Sequence, residues 1–133
     1  MKLSLAASAL AQHPRLAARW ENGQLLAGKE LNIGLAMAIE DGLTVPVVHG
    51  ANTLTLRQIS ARRQELVERA QAGRLKQEDL AGGVFTISNL GMYGIDAFNA
   101  IVNPPQAAIL AVGRIADRVV AVNGQPAVRP PRH

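Results

Sequence analysis

One segment of the sequence, residues 82–113, constrains the fold more than any other part of the chain. It reads GGVFTISNLGMYGIDAFNAIVNPPQAAILAVG and joins two apolar runs through a polar loop and a double proline. Ser88 and Asn89 stand where a strand gives way to a glycine-rich turn, and Pro104-Pro105 fixes the backbone before residues 107–112. So many conformationally special residues in one stretch predict a loop that is held in a defined shape for a functional reason.

Composition limits the chain to one domain, which we predict to span residues 1–133. Hydrophobic residues make up 48% of the sequence but aromatic residues only 3%. The core must therefore be built from Ala, Leu, Ile and Val. A domain this short and apolar is expected to bury part of its surface against other chains. The alternative is a compact, alanine-rich monomer.

The net charge of +4 raises nucleic-acid binding as one hypothesis. Against it, the aromatic side chains on which single-stranded bases stack are nearly absent, and the basic residues are spread over a helix and two loops. We therefore predict no nucleic-acid partner. The basic residues form either a solvated face or a source of attraction for anionic ligands such as nucleotide phosphates.

Several classes of protein are excluded by what the sequence lacks. It contains no cysteine, which rules out disulfides, thiolate metal sites and cysteine nucleophiles, and we predict no metal site. No apolar stretch approaches the roughly 18 residues of a membrane-spanning helix. Residues 1–16 are interpreted as a soluble helix and its end, not as a signal peptide. We predict no membrane partner and a cytoplasmic location of the bacterial type, with a mitochondrial-matrix relative as the alternative.

The clearest local prediction is an amphipathic helix over residues 56–72. Thr55 and Gln58 form a capping box at its start, and Gly73 suits the position after its end. The predicted buried face and the predicted basic outer face are each made of several side chains, and Glu65 pairs with Arg69 on the exposed side. The buried face comprises Leu56, Ile59, Leu66, Val67 and Ala70, and the basic face comprises Arg57, Arg62, Arg63 and Arg69.

The remaining elements follow from apolar runs and turn signals. Asn123-Gly124 predicts a hairpin with a type I′ turn between residues 119–122 and 126–129. Asp41-Gly42 predicts either a turn between two strands or a sharp bend in one long strand. Together these elements predict a mixed α+β domain, a sheet covered by few helices. The other predicted elements are helices at 2–12 and 76–80 and strands at 31–39, 43–48, 84–88, 98–102 and 107–112.

Six landmarks, in order along almost the whole chain, give the sequence a strong family resemblance. It resembles the catalytic domain of the dihydrolipoamide acyltransferases, the E2 components of the 2-oxoacid dehydrogenase complexes. The resemblance runs from about Leu3 to Arg129. The landmarks are His13-Pro14-Arg15-Leu16, Asn32-Ile33-Gly34-Leu35-Ala36, Gly42-Leu43-Thr44-Val45-Pro46-Val47-Val48, the capped helix with Leu80-Ala81-Gly82-Gly83 after it, the Ser88 loop, and Asn103-Pro104-Pro105-Gln106.

The resemblance implies a chloramphenicol-acetyltransferase-like fold, assembled as a homotrimer or a larger core. It implies transfer of an acyl group between dihydrolipoamide and coenzyme A, both substrates, with no cofactor bound covalently to this chain. The partners implied are coenzyme A and a lipoyl domain, with the E1 and E3 components reached through segments absent from this sequence. The acyl group itself, acetyl, succinyl or branched-chain, stays undetermined.

Four site residues are carried over from the family. Ser88 is implied as the hydrogen-bond donor to the oxyanion of the tetrahedral intermediate, since a hydroxyl can rotate to serve a transient charge. Ser88, Asn89, Gly113 and Ile115 are implied along the coenzyme A channel, where a glycine lets a ligand approach the backbone closely. Taken without the family, the same residues are explained by a strand end and an ordinary turn.

The sequence departs from the family in its general base. The family uses a histidine in a DHRxxDG motif that deprotonates the attacking thiol, and this sequence contains no such motif. His133 is not its replacement, because it lacks the following Arg and Asp-Gly, and His13 and His49 are interpreted as surface or structural residues. We therefore expect an incomplete, truncated catalytic domain with impaired turnover. The alternative function is a non-catalytic structural module of an E2 core.

Overall fold

The computed structural model describes residues 2–28 and 30–129. These residues gather into two compact units. The larger unit contains the chain up to residue 88 together with residues 100–110, and the smaller unit contains residues 89–99 and the chain from residue 111 onward. Along the described chain, runs of strands are separated by a few helices, which confirms the predicted α+β class.

Three α-helices lie in the larger unit: α1 (Lys2–Gln12), α2 (Leu56–Gln71) and α3 (Gln77–Leu80). The capping box predicted for α2 is present, because the amide of Thr55 donates to Gln58 Oε1 over 2.8 Å and the amide of Gln58 donates to Thr55 Oγ1 over 3.3 Å. At its end Gly73 has a φ of +62°, and the amide of Arg74 returns to the carbonyl of Arg69. Local sequence signals therefore set both ends of α2.

Nine strands form three sheets among the described residues. The central sheet has the order β4-β3-β6-β7, with β5 also paired to β3, and two-stranded sheets join β1 to β2 and β8 to β9. The strands are β1 (Ala18–Glu21), β2 (Gln24–Ala27), β3 (Ile33–Ile39), β4 (Gly42–Thr44), β5 (Val47–Val48), β6 (Phe85–Asn89), β7 (Ile109–Val112), β8 (Arg118–Val122) and β9 (Gln125–Arg129).

Strand β3 organises the central sheet. It pairs antiparallel with β4 through a turn at Glu40-Asp41, with Gly42 already in β4, so the prediction of two strands is confirmed over that of one bent strand. Pro46 interrupts the second predicted strand, which becomes β4 and β5. On its other side β3 runs parallel to β6, with Ile33 opposite Phe85 and Ala36 opposite Ser88.

The β8–β9 hairpin is predicted correctly from its turn residues, whereas the strand predicted from the apolar run 98–102 is wrong. Asn123 (φ +50°) and Gly124 (φ +78°) form the left-handed pair that a type I′ turn requires. The strand predicted over residues 98–102 is absent: this segment is irregular, and Ile101 is 91% exposed. An apolar run becomes a strand only where a neighbouring strand pairs with it, and none of the described strands does.

The core of the larger unit lies between β3, β5 and β6 and helices α1 and α2. In α2 the prediction of the buried face is only partly right, because Leu56, in the first turn, is 54% exposed and Val67 is half-buried. The buried apolar side chains of these elements are Leu3, Ala7, Leu10, Ile33, Val47, Val48, Ile59, Leu66, Ala70, Phe85 and Ile87.

Candidate functional site

The predicted site serine lies near the end of strand β6. The first three residues of β6 are buried, whereas Ser88 and Asn89 are half-buried. No hydrogen bond joins the Ser88 hydroxyl to another described residue. The backbone of Ser88 is thus fixed by pairing with β3, while its hydroxyl keeps its donor free.

A buried hydrogen bond supports β6 two residues before Ser88. Thr86 is 1% exposed, and its hydroxyl donates to Oε1 of Gln106 over 2.6 Å. Gln106 closes the double-proline turn, since its amide donates to the carbonyl of Asn103, and the carbonyl of Pro105 accepts from the amide of Trp20. The double proline thus has a visible structural role, which is to hold the strand that carries the serine.

Asn32 is an organising residue to which the sequence interpretation gave no role. Its side chain donates to the carbonyl of Gly82 over 3.1 Å and accepts from the amide of Gly50 over 2.8 Å. Its carbonyl accepts from the amide of Val84 over 2.8 Å. One amide side chain therefore joins the start of β3, the exit from β5 and the entry to β6. A polar residue at the head of an apolar strand was the signal available in the sequence.

Asn89 begins the turn in the smaller unit. Its Oδ1 accepts from the amide of Gly91 over 3.0 Å, while the amide of Leu90 donates to the carbonyl of Val112 over 3.0 Å. A short 3-10 helix, Gly91–Tyr93, follows and ends at Gly94, whose φ is +76°. The side chain of Asn89 thus shapes the loop by the ordinary Asx mechanism.

Gly113 is required by the packing of the chain's own backbone. A Cβ atom at Gly113 would lie 1.9 Å from the carbonyl oxygen of Asp96, and one at Gly91 would lie 2.6 Å from the carbonyl oxygen of Gly113. Close approach of backbone to backbone is thus sufficient to require glycine at both positions. Two residues further on, the side chain of Ile115 is 57% exposed. The smaller unit contains Asn89, Gly113 and Ile115, while Ser88, the residue before Asn89, belongs to the larger one.

Charged groups reinforce the same packing. Asp96 accepts hydrogen bonds from Arg114 on both carboxylate oxygens and from Arg118 over 2.9 Å. The hydrogen bond from Arg114, together with the positive charge of both guanidinium groups, lowers the pKa of Asp96 below its usual value. The amide of Arg114 also donates to the carbonyl of Ile95 over 2.8 Å. This cluster of ionic contacts fastens residues 95–96 to residues 113–118.

Neither histidine in the described part of the chain is placed as a general base. Nε2 of His49 donates to the carbonyl oxygen of Glu78 over 3.0 Å, which is a structural role. His13 is exposed and stands at the junction of α1 with the 3-10 helix Pro14–Ala17. No hydrogen bond joins either ring to Ser88. His133 lies outside the described residues.

The predicted basic outer face of α2 is wrong for two of its four arginines. Arg62 and Arg69 are half-buried and reach across to Asp79 of α3, whose side chain is completely buried. Burial by itself would raise the pKa of Asp79, but the amide of Lys76 and the two guanidinium groups outweigh it and lower that pKa. The predicted pair of Glu65 with Arg69 is present and belongs to this cluster.

In residues 2–28 and 30–129, no group of three or more His, Asp or Glu side chains is arranged to hold a metal ion. Within the same residues, no helix combines the length and the apolar character needed to cross a membrane.

Comparison with protein families identifies the domain. The model of the family described as "2-oxoacid dehydrogenases acyltransferase (catalytic domain)" matches residues 2–132. The chain is 43% identical over 119 residues to the dihydrolipoyllysine-residue acetyltransferase component of the pyruvate dehydrogenase complex from Rickettsia felis. It is 46% identical over 120 residues to the mitochondrial component 3 of the same name from Arabidopsis thaliana. Each match covers 90% of this chain, but only 29% and 22% of the respective relative.

Solved structures agree with the family assignment. A probable dihydrolipoamide acetyltransferase from Listeria monocytogenes superposes with a TM-score of 0.89 at 35% identity, over 96% of this chain and 55% of that one. The Azotobacter vinelandii dihydrolipoamide acetyltransferase gives a TM-score of 0.89 at 36% identity, over 97% and 53% of the two chains. That structure was determined to study a serine, a histidine and an asparagine in the catalytic mechanism.

The chain thus spans about half the length of these solved structures and less than a third of the two relatives. The sheets, the helices and the loop that follows Ser88 all lie within the matched region. The predicted chloramphenicol-acetyltransferase-like fold is confirmed. The chain belongs to the family of 2-oxoacid dehydrogenase acyltransferase catalytic domains.

Proposed function

We propose that this chain is part of the acyltransferase domain of a 2-oxoacid dehydrogenase complex. That domain moves an acyl group between dihydrolipoamide and coenzyme A. The observation that carries the proposal is the half-buried Ser88 hydroxyl, free of other described partners, at the end of a strand inside the family match. A rigid strand that presents a free hydroxyl suits a donor whose acceptor exists only briefly.

In this mechanism the thiol of one substrate attacks the thioester carbonyl of the other. The carbonyl oxygen gains negative charge as the new carbon–sulfur bond forms, and Ser88 donates its hydroxyl proton in a hydrogen bond to that oxygen. The intermediate then collapses, the original carbon–sulfur bond breaks, and the second thiol leaves. Ser88 stabilises the intermediate without forming a covalent bond, so its removal lowers the rate of transfer more than the affinity for substrate.

The attacking thiol must lose its proton to a base. Since His49 is engaged with a backbone carbonyl and His13 lies at the end of α1, we place the base outside residues 2–28 and 30–129. The Azotobacter vinelandii study of a serine together with a histidine supports such a pairing. We therefore expect the chain alone to bind coenzyme A but to turn over slowly, if at all.

The proposed partners are coenzyme A, a lipoyl domain and further copies of the chain in a homotrimer or larger core. A structure described as the cubic core of the pyruvate dehydrogenase multienzyme complex matches 97% of this chain with a TM-score of 0.89, which supports that assembly. Contacts with E1 and E3 components and the cytoplasmic location stay predictions. The relatives include bacterial proteins and others named mitochondrial.

Isothermal titration with coenzyme A, followed by an assay of acyl transfer from acetyl-coenzyme A to dihydrolipoamide, tests the proposal. We expect the wild-type chain and Ser88→Ala to bind coenzyme A with similar affinity. Any measurable transfer should fall about 100-fold or more in Ser88→Ala, as for the loss of an oxyanion donor. Ser60→Ala, which removes an exposed serine hydroxyl of α2 that makes no hydrogen bond with a described residue, is the matched control.

Absence of coenzyme A binding by the wild-type chain would contradict the proposal. If such a chain still co-purified with a longer dihydrolipoamide acyltransferase, the non-catalytic assembly module would be the better description. Transfer that Ser88→Ala leaves intact would remove Ser88 from the mechanism, whatever the affinity for coenzyme A.

A further inference from the structure

The smaller unit carries a cluster of arginines that the proposed reaction does not use. Among its described residues the basic side chains are Arg114, Arg118 and Arg129, and the acidic ones are Asp96 and Asp117. Asp96 pairs with two of the arginines, whereas Asp117 makes no ion pair with any described residue. The cluster formed by Arg114, Arg118 and Arg129 therefore keeps an excess of positive charge.

The hairpin register places two of these charges side by side. Arg118 of β8 lies directly opposite Arg129 of β9, and directly opposite residues of an antiparallel pair project to the same face. Like charges in this position destabilise a hairpin. Asp96 offsets part of this repulsion through its hydrogen bond from Arg118, and an anion that contacts both arginines would offset the rest.

Asp96 fixes the orientation of the guanidinium groups of Arg114 and Arg118 but accepts from only some of their N–H groups. Arg114 uses Nε and Nη2 to reach both oxygens of Asp96, and Arg118 uses Nη2. A guanidinium has five N–H donors, so most donors of both groups stay available. A fixed guanidinium with free N–H groups is the arrangement that recognises phosphate, often through two bonds at once.

We propose that Arg114, Arg118 and Arg129 bind the phosphate groups of coenzyme A. Arg114 stands between Gly113 and Ile115 in the sequence, two of the residues that the family resemblance implies for the coenzyme A channel. Pantetheine, the thiol-bearing arm of the same ligand, carries no phosphate and does not need the cluster. The inference rests on the proposed function, because it takes the ligand from there and adds the residues that recognise its charge.

The test compares Arg118→Gln with Arg63→Gln. Both substitutions remove one positive charge, but Arg63 is exposed on α2 in the larger unit and makes no ion pair with a described residue. Affinities for coenzyme A, for pantetheine and for inorganic phosphate are measured by isothermal titration at two salt concentrations, and a thermal unfolding curve shows whether each variant is folded. Loss of one charge-assisted contact corresponds to a change of about tenfold or more in affinity.

We expect Arg118→Gln to weaken coenzyme A binding about tenfold and to reduce its salt dependence, with pantetheine unaffected and Arg63→Gln like the wild type. Equal effects of the two substitutions, or equal losses for coenzyme A and pantetheine in Arg118→Gln, would overturn the inference and leave the proposed function standing. If inorganic phosphate alone bound as tightly as coenzyme A, the cluster would be a simple anion site and the inference would fail. A wild-type chain that binds no coenzyme A would refute the proposed function itself.

Discussion

At the scale of single residues, Gly91 and Gly113 have a packing role that the sequence alone does not reveal. The family resemblance pointed to Gly113 as a place where a ligand approaches the backbone. In the structure the carbonyl oxygen of Asp96 lies where a side chain on Gly113 would begin. The sequence alone could not show this, because the contact joins residues seventeen positions apart through the fold.

Gly113→Ala is therefore expected to disrupt the smaller unit directly. A Cβ atom would meet the Asp96 oxygen at 1.9 Å, a clash that backbone must relieve at a cost of about 3 kcal/mol. The control is Gly124→Ala, where φ is +78° but no atom lies within 4 Å, so only the roughly 1 kcal/mol of a left-handed alanine applies. Urea unfolding of both variants measures the difference. Equal destabilisation would mean that the 89–99 loop moves aside freely.

At the scale of helices and strands, prediction succeeded where short-range chemistry decides the structure. The capping box at Thr55 and the Asn123-Gly124 turn each need only a few neighbouring residues, and both are present. Prediction failed where the structure of a segment depends on contacts with residues distant in the sequence. The apolar run 98–102 predicts a strand, but none of the described strands pairs with it. Arg62 and Arg69 of α2 are predicted to be solvated, but both pair with buried Asp79 of α3.

Removal of the α2 cap tests how far that local chemistry contributes to stability. Thr55→Ala should destabilise the chain by about 1 kcal/mol, since it leaves the amide of Gln58 without its side-chain acceptor. Thr55→Ser keeps the hydroxyl, and because serine ranks at least as high as threonine at this position, it should cost little or nothing. Urea unfolding followed by circular dichroism measures both. Equal losses in the two variants would show that the methyl group of Thr55, not its hydrogen bonds, is what matters.

At the scale of the whole molecule, the distribution of charge decides how the chain responds to acid. Its net charge is already +4 at neutral pH, so protonation of carboxylates adds repulsion. In the described residues the carboxylates with shifted pKa values, Glu65, Asp79 and Asp96, are all shifted downward, and each is paired with arginine. The ionised form of each group is thus favoured by folding.

The sign of the pH dependence follows from that direction. A carboxylate whose pKa is lower in the folded chain than in the unfolded chain contributes its full stability above the unfolded value, near 4, and loses it as the pH falls through the lower folded value. We expect the free energy of unfolding to be level from pH 7 to about pH 5 and to fall steadily below it.

Asp79→Asn gives the sharpest version of this prediction. The substitution leaves the guanidinium groups of Arg62 and Arg69 facing a neutral, buried amide, and breaking a buried ion pair costs about 3 kcal/mol. This loss should be largest at pH 7, should begin to shrink below the unfolded-state value near 4, and should disappear as the pH falls through the lower folded pKa of Asp79. Urea unfolding at pH 7, 5, 4 and 3 follows both proteins, with exposed Asp117→Asn as the control. A difference between wild type and Asp79→Asn that stayed constant from pH 7 to pH 3 would show that Asp79 stabilises the fold by its shape and hydrogen bonds, and not by its charge.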